Sequence, residues 1–557
     1  MKSRGDAALA AFRRQEKVEV RGSSWSREPY TLREKVVTAA ALFACFFMLW
    51  MASGLTWKWQ SIGTLVALFS FTSLFWPLPG ESSRDVGSPR YNARALLKLP
   101  VFWLGAVLLA YVIISNYNIH TTLKTLPTGR IRLVRHETIA WLPSAMALPI
   151  EKDNPFIYFL LYAQPWLLVC TLGVGLRNRR AWRMCLLWLG VGLLAWLGVA
   201  FYMDFMEFER ILGVWKSTRF QYPLFFGTIV AKAHVGYFLG MGVVVCLSLF
   251  FLYWRQARQR KRLVGPHWIF LLCSFLFTAA ELRIFDRGPL GYLVGLWAFA
   301  ILLFIITAIR ERYWISLIAV TFLMCGGLFG SYAYVKQTAY GAQYEVFNRE
   351  IRQTREALAD WRMIDRVRSS QLALEMWEER QLFGWGAGSF RYYYLTRTKD
   401  YPDLVGFRYK GTFDRKTGKW KTLEFERDPK TGRRIGKKFT VGLNAVHNDW
   451  AQALMELGIV GFGLLFCSIG YWFAKALWHI RHWDATAWML FVGMIGLCLT
   501  ALVDFHMTTP SIMGIAAVMT VAMSRWSEAR AEKTGERRLR RVRTSPVAAS
   551  VTPDTQA

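Results

Sequence analysis

The chain has 557 residues, of which 54% are hydrophobic and 26 are tryptophan, more apolar surface than a soluble domain can use. Its formal net charge of +31 points to nucleic acid or to an anionic membrane. The lysines and arginines occur in short runs between apolar segments, which is how membrane proteins fix their orientation. We therefore expect membrane lipid as a partner and no nucleic acid. All eight cysteines lie in apolar stretches, which argues against disulfides and zinc sites.

Twelve apolar segments approach the roughly 20 residues that a membrane-spanning helix needs. They lie at about 36–54, 59–77, 99–117, 155–175, 182–203, 235–254, 267–284, 290–308, 314–332, 456–474, 487–504 and 511–525. The sequence therefore predicts an all-α polytopic membrane protein with about 12 transmembrane helices, nine within 36–332 and three within 456–525. The polar, basic tail 1–35 has no apolar run near its start, so we expect no cleaved signal peptide.

The basic loops alternate along the chain. When the tail 1–35 is placed in the cytoplasm, every inside loop is rich in arginine or lysine, and the tail 526–557 falls on the same side. This pattern predicts a multi-pass protein with both termini cytoplasmic. The composition of 526–557, which ends in Ser, Thr, Pro and Ala, predicts a disordered tail.

Three outside segments are long, at about 118–154, 204–234 and 333–455, and loops of such length usually carry function. In the largest, the spacing of the arginines predicts a helix over about 345–380. Residues 407–441 alternate polar and apolar types around two Lys-Thr-Gly turns, which predicts a small β-meander insertion.

The strongest local motif lies where segment 333–455 enters the tenth apolar segment. If a helix begins near Asn444, then Asn448, Gln452 and Glu456 form one polar stripe, and His447 lies in the first turn. The positive end of the helix favours neutral imidazole, the form that can accept a proton. The alternative is an interfacial helix start in which His447 and Asn448 only satisfy exposed N–H groups.

Alternating glycines precede this motif, at Gly384, Gly386 and Gly388. Glycine lets the backbone approach a ligand or another segment closely. No strand or βαβ unit surrounds the motif, so a nucleotide site is not indicated. A tight turn is the alternative explanation.

Several arginines fall on the outer side in the predicted topology: Arg219, Arg287 and the pair Arg366 and Arg368. Guanidinium groups suit a diphosphate because they stay charged and bind two oxygens in a planar fork. No acidic pair or His/Asp cluster stands out there to hold a metal, so arginine would supply the charge stabilisation. Arg287 could instead pair with Asp286 or Glu281.

Taken together, these features resemble the O-antigen ligase family, whose domain also occurs in O-antigen polymerases and in bacterial protein O-oligosaccharyltransferases. The resemblance covers about 210–475 and is carried by three motifs. The motifs are an arginine-glycine pair ending a mid-chain helix (Arg287-Gly288), an arginine upstream of a Gly-x-Gly-x-Gly-x-Phe turn (Arg366 or Arg368, then Gly384 to Phe390), and a His-Asn-x-x-x-Gln…Glu-x-Gly-x-x-Gly segment (His447 to Gly461). Arg219 is a looser match to an earlier arginine of the family.

The resemblance implies an all-helical glycosyltransferase in the bacterial inner membrane, with its active site on the periplasmic face. Its donor would be a glycan on polyprenyl diphosphate, and its acceptor the lipid A-core or another glycan. The arginines would hold the diphosphate, and His447 would act as the base in a metal-independent, inverting reaction without a cofactor. Two features depart from the family: Asp286 replaces a small hydroxylic residue, and the 407–441 insertion is longer than expected.

Other functions share part of this pattern. Polymerases and protein O-oligosaccharyltransferases have the same motifs, so the acceptor is open. A transporter or lipid flippase would also use membrane arginines, but it predicts polar residues spread through several helices. Here the apolar spans are clean and the polar groups gather at the outer loop.

Overall fold

A computed structural model describes residues 30–543 with internal gaps. The gaps lie at 52–55, 80–86, 126–130, 148–154, 207, 209, 213–226, 230, 263, 285, 312, 339–364, 398–399, 402–403, 405, 410, 415–418, 423–424, 428–433, 437 and 442–444. Several predictions fall outside the described residues. Arg219 and Asn444 lie outside them entirely. The tail 1–35, the helix predicted over 345–380 and the tail 526–557 lie outside them in part.

The described part is mainly helical, and each of the twelve predicted apolar segments overlaps a helix. The helices are α1 Leu32–Trp50, α2 Trp57–Thr72, α3 Pro89–Leu97, α4 Pro100–Tyr117, α5 Pro155–Gly175, α6 Arg179–Phe205, α7 Lys232–Gln259, α8 His267–Ile284, α9 Arg287–Arg310, α10 Trp314–Thr338, α11 Asp365–Glu378, α12 Phe390–Tyr393, α13 Asp449–Trp478, α14 Ala485–Thr500 and α15 Pro510–Arg543. Two short 3₁₀ turns follow α12 and α13.

Seven helices in the described part are long and apolar enough to cross a membrane: α4 to α9 and α13. They indicate a multi-pass, mainly α-helical membrane protein. Helix α14 is apolar but shorter. The count of twelve spans stays a prediction.

Helix α7 forms the centre of the bundle, and all of its most apolar window is buried inside the protein. It packs against α6, α8, α9 and α14, and its small residues permit close contact. A side chain at Gly242 would collide with the ring of Phe277 on α8. A helix that is apolar on all sides and covered by protein is expected at the core of a bundle.

One end of the bundle, called here the arginine end, is fastened by ion pairs around Asp484. This carboxylate caps α14 by accepting the amide of Ala487 at 3.1 Å, and it pairs with Arg179 at 2.8 Å and Arg530 at 2.7 Å. The indole of Trp526 donates to it at 3.0 Å. Charged groups this far from water are stable only when each has such partners, so these contacts hold α6, α14 and α15 together.

The opposite end, called the loop end, carries a three-stranded sheet that the all-α prediction missed. The strands are β1 Ile119–Thr125, β2 Ile131–Arg135 and β3 Ala145–Ala147, in the order β2-β1-β3; β2 is antiparallel to β1 and β3 is parallel to it. The β-branched residues of β1 and β2 favour strands. Met146 of β3 joins a second apolar core with Leu372, Met376, Phe390 and Val446, so the sheet is packed onto the segments that carry the predicted site.

The insertion contains strands but not the predicted meander. The strands are β4 Gly406–Tyr409, β5 Gly411–Asp414, β6 Lys419–Thr422, β7 Phe425–Arg427, β8 Arg434–Gly436 and β9 Lys438–Val441. Strand β4 pairs with β9, β5 with β6, and β7 with β8, all antiparallel. The two inner hairpins are therefore enclosed by the pairing of the first and last strands, in place of the sequential pairing of a meander.

Candidate functional site

The His447 motif forms a helix start that differs from the prediction. Helix α13 begins at Asp449, and Asn448 is its N-cap, with a side-chain oxygen that accepts the amide of Ala451 at 3.0 Å. His447 therefore precedes the cap and is not in the first turn. Its φ of 57° lies in the left-handed region, which few residues other than glycine adopt without cost. The neighbours of His447 hold this strained backbone in place, because the amide of Val446 donates to Gln452 and the side chain of Asn448 caps α13.

The centre of the site is Asp504, a residue that the sequence analysis did not identify. Its buried carboxylate lies 3.6 Å from Nδ1 of His447 and 3.6 Å from a guanidinium nitrogen of Arg366. The hydroxyl of Tyr237 donates to it at 3.1 Å, and the amide of Phe505 donates at 3.0 Å. We call these four side chains, Asp504, His447, Arg366 and Tyr237, the carboxylate cluster.

The electrostatics of the cluster keep Asp504 ionised. Burial alone would raise the pKa of this carboxyl group, but the contacts with His447 and Arg366 outweigh burial and hold the pKa at about 2. The stabilisation that the carboxylate contributes is present above its ordinary pKa of 3.8 and is lost only as pH falls through about 2. At neutral pH the cluster therefore contains a fixed negative charge beside an imidazole.

The imidazole of His447 is available for chemistry. Its side chain is 30% exposed, whereas the side chain of Asp504 is fully buried. Nδ1 of His447 faces Asp504 beyond hydrogen-bonding distance and has no hydrogen-bond partner among the residues that the structure describes. Its ring packs edge-on against Phe505, with centroids 4.5 Å apart. A carboxylate on the Nδ1 side stabilises an imidazolium and leaves Nε2 as the nitrogen that exchanges a proton.

The structure separates Arg366 from Arg368. Arg366 donates to the carbonyl of Val503 at 2.9 Å and reaches Asp504, so it belongs to the carboxylate cluster. Arg368 lies over the ring of Tyr401, 5.5 Å from its centre, on another side of α11. The predicted arginines therefore do not all meet at one point.

Arg287 and Gly288 begin α9, with Asp286 as the N-cap, whereas the prediction placed them at the end of the preceding helix. Gly288 lies against the cluster: a Cβ there would be 2.4 Å from the hydroxyl of Tyr237 and 3.2 Å from the carboxylate of Asp504. Only glycine fits in this contact. The backbone beside Arg287 is thus at the edge of the carboxylate cluster.

Gln452 and Glu456 come together as predicted, but they bind protein backbone. Gln452 accepts the amide of Val446 at 3.1 Å and donates to Glu456 at 3.1 Å. Glu456 then accepts the amides of Gly388 at 2.9 Å and Phe390 at 3.4 Å. This buried carboxylate is therefore occupied by the glycine segment.

The glycine segment is a tight turn against a break in α13. Gly458 has φ 61° and ψ −177°, which interrupts the helix. Residues 381–386 pair with the break: Trp385 N–H donates to the carbonyl of Met455 at 3.0 Å, and Ile459 N–H donates to that of Gln381 at 2.8 Å. A Cβ at Gly384 would lie 2.5 Å from the amide nitrogen of Gly458. We call this contact between residues 381–390 and 455–460 the glycine clasp.

Two buried histidines extend the carboxylate cluster inward. The ring of His506 lies 4.1 Å from that of Tyr237. The ring of His234, on α7, lies edge-on to that of Phe505, with centroids 4.9 Å apart. His234 also contacts the hydroxyl of Thr509 at 2.7 Å. Burial, and then the neighbouring His234, lower the pKa of His506 to about 4, so His506 is neutral at pH 7.

Sequence reasoning missed Asp504 and Tyr237 because neither belongs to a local motif. Asp504 lies in the short connection between α14 and α15, and Tyr237 lies inside an apolar helix. The feature that could have identified Asp504 is its position at the end of an apolar helix, since an ionisable residue beside an apolar segment usually has a partner.

Within the described ranges, no three His, Cys, Asp or Glu side chains form a group that could hold a metal ion. The metal-independent reaction stays a prediction. No protein-family model matches the chain, and no curated protein matches it.

Proposed function

We propose that this protein is a glycosyltransferase of the O-antigen ligase type, which moves a glycan from polyprenyl diphosphate to a hydroxyl of a lipid A-core acceptor. The observation that carries the proposal is the position of Asp504 between His447 and Arg366. It brings a candidate base and a permanent cation to one partly open site at the end of an apolar helix bundle.

The reaction follows from these groups. Nε2 of His447 removes the proton of the acceptor hydroxyl, whose oxygen attacks the anomeric carbon. The bond from that carbon to the donor diphosphate breaks, and the diphosphate leaves with the bonding electrons. Arg366 and Arg287 stabilise the negative charge of the leaving group, and Arg219, which the sequence predicts for the same role, lies outside the described residues. Attack opposite the leaving group inverts the anomeric carbon, and Asp504 stabilises the imidazolium.

The sidedness of the proposal comes from the charges. The arginine end holds Arg179, Arg530 and the other basic connections, as expected of a cytoplasmic surface. The loop end then faces the periplasm of a bacterial inner membrane. A polyprenyl tail would lie in the bilayer beside the bundle while its diphosphate reaches the carboxylate cluster.

A reconstituted assay tests the proposal. Protein in liposomes is supplied with labelled polyprenyl-diphosphate glycan and lipid A-core, and transfer of the label to the acceptor is measured with and without a chelator. His447→Ala should reduce transfer by at least about 100-fold, because proton transfer by a positioned side chain contributes about 10²–10⁴-fold. His136→Ala, a change at an exposed histidine of the loop end, is the matched control.

Full transfer by His447→Ala would remove this residue from the reaction. If that variant moved labelled lipid across the bilayer and no variant transferred glycan, a flippase would be indicated. In a deletion strain, ligase loss removes the whole ladder from the lipid A-core, and polymerase loss leaves a core with one repeat. Under-glycosylated periplasmic protein with normal polysaccharide would indicate protein O-glycosylation.

A further inference from the structure

Helix α11 presents different polar groups on two sides. On one side, Arg366 reaches Asp504, and the hydroxyl of Ser369 donates to the carbonyl of Val446, next to His447. Arg368 is two residues beyond Arg366, which turns it by about 200° around the helix. The helix therefore separates the carboxylate cluster from a second polar surface.

That second surface is a cavity of about 480 Å³, within the range of small-molecule sites. It is lined by residues of α11 and of the segment after α12: Arg368, Gln371, Glu375, Arg397, Asp400 and Tyr401. The lining is organised. Tyr401 donates a hydrogen bond to Glu375 at 2.5 Å, and Arg397 forms an ion pair with Glu379 at the edge.

The chemistry of the lining suits a neutral, hydroxyl-rich ligand. The described lining residues include two arginines and two carboxylates, whose formal charges cancel, so these residues together have no net attraction for a diphosphate. Carboxylate and amide groups accept and donate several hydrogen bonds in fixed planes, which matches neighbouring sugar hydroxyls. The ring of Tyr401 adds an aromatic surface with a polar tip. The carboxylate cluster, with a buried charge and an imidazole, has a different composition.

We propose that this cavity is a saccharide-binding subsite that holds glycan while its reacting end lies at the carboxylate cluster. The roles of donor and acceptor rest on the function proposed above, but saccharide binding does not. The cavity and the cluster are separated by the thickness of one helix, about 10–12 Å. A glycan that reaches around α11 can therefore contact both, and the cavity selects its length and sugar type.

A binding experiment tests this subsite without the transfer reaction. Full-length protein in nanodiscs is titrated with two soluble probes: glycan released from the polyprenyl diphosphate by mild acid, and oligosaccharide core released from lipid A. Gln371→Ala and Glu375→Gln should weaken the binding of one probe by about tenfold, the value of one good hydrogen bond to a charged group. Glu378→Gln is the matched control, since Glu378 is an exposed glutamate of the same helix outside the cavity.

The probe that is weakened identifies the source: released donor glycan assigns the cavity to the donor, and core oligosaccharide assigns it to the acceptor. His447→Ala should bind both probes normally, because His447 does not line the cavity. Loss of transfer can therefore be distinguished from loss of saccharide binding. The subsite is overturned if neither probe binds the unmodified protein. Equal affinity in the cavity variants and in Glu378→Gln, at unchanged thermal stability, also overturns it.

Discussion

The carboxylate cluster and the glycine clasp both depend on the first turns of α13, yet they use polar atoms in opposite ways. In the clasp, Glu456 accepts hydrogen bonds from two backbone amides and from Gln452. In the cluster, Nδ1 of His447 has no hydrogen-bond partner in the described part of the chain, and the imidazole ring is partly exposed. A buried carboxylate with satisfied oxygens stabilises structure, whereas a partly exposed imidazole can exchange a proton with a substrate.

The comparison shows that neighbouring residues of the His447 motif have different roles, some structural and some at the candidate site. His447 lies before the helix cap and faces Asp504, while Glu456 binds the turn at 384–390 and Gln452 links Glu456 to the amide of Val446. The clasp fixes where α13 begins, and the cluster uses that position. Substitutions in the clasp should therefore change stability first, and substitutions in the cluster should change transfer first.

The largest effect is expected in the clasp, from Gly458→Ala. The backbone conformation of Gly458 is almost exclusive to glycine, and a Cβ would lie 2.4 Å from the carbonyl oxygen of Leu382. We expect the free energy of unfolding to fall by about 3 kcal/mol. A thermal unfolding curve of the detergent-solubilised protein measures it.

Gly463→Ala is the control, because a Cβ at Gly463 of the same helix meets nothing within 4 Å. Alanine there should leave stability unchanged or raise it by up to about 1 kcal/mol. Equal losses for the two variants would mean that the break at Gly458 is not a stabilising feature.

The next effect is expected in the cluster, from Asp504→Asn. The change removes the charge that stabilises the imidazolium, so the transfer rate should fall about 30-fold, or ~2 kcal/mol in the barrier. In the His447→Ala background the same change should add almost nothing, since Asp504 acts through His447. Full multiplication of the two losses would show that Asp504 acts independently.

A smaller effect is expected from Tyr111→Phe. The hydroxyl of Tyr111 donates to the carbonyls of Leu457 at 2.6 Å and Phe383 at 2.9 Å, and so fastens both sides of the clasp. Its loss should cost about 1 kcal/mol of stability and leave the per-molecule transfer rate unchanged. A transfer rate that fell more than the folded fraction would contradict the division between clasp and cluster.

The effect that is smallest at neutral pH concerns the packing of the clasp and appears only as the solution is made acidic. His120 contacts the carbonyl of Trp385 at 3.0 Å, and burial, then Arg380, lower its pKa from 6.5 to about 4. Charging the buried ring is therefore unfavourable, so the stability that the neutral ring gives the folded clasp is complete above pH 6.5 and is lost as pH falls from 6.5 through 4. Hydrogen exchange at the Trp385 and Gly386 amides should accelerate over that range.

His120→Gln should remove this pH dependence of exchange, because glutamine does not titrate. Asp504, whose pKa is about 2, stays charged over the same range, so the cluster and the clasp should separate in acid. Identical exchange profiles for the variant and the unmodified protein would assign the acid response to another group.

Much of the fold could be predicted because its pattern is local. Apolar segments of sufficient length mark helices, and each of the twelve overlaps one. The sheet at 119–147 was missed because β3 has only three residues and its parallel pairing with β1 joins segments about 25 residues apart. The nested pairing of β4 with β9 depends on contacts between distant residues, which alternation along the sequence does not specify.

The site was predicted only where one segment contains it. His447, Gln452 and Glu456 share a motif, whereas Asp504 joins them through the packing of the α14–α15 connection against α13: the amide of Asp449 donates to the carbonyl of Ala501 at 2.8 Å. The positions of the two arginines around a helix could have predicted that Arg366, and not Arg368, belongs to the site. Arg366 lies one turn before the buried Ser369 on the same side of α11, whereas Arg368 is turned by about 200° from Arg366.

The connection between α14 and α15 also has a meaning for biosynthesis. His447, Arg366 and Tyr237 are all translated before this hairpin, yet the carboxylate that joins them arrives only with it. A partly inserted nascent chain therefore has the histidine and the arginine without the group that aligns them. Under the proposed function, the protein therefore becomes competent for transfer only once the connection between α14 and α15 has been added.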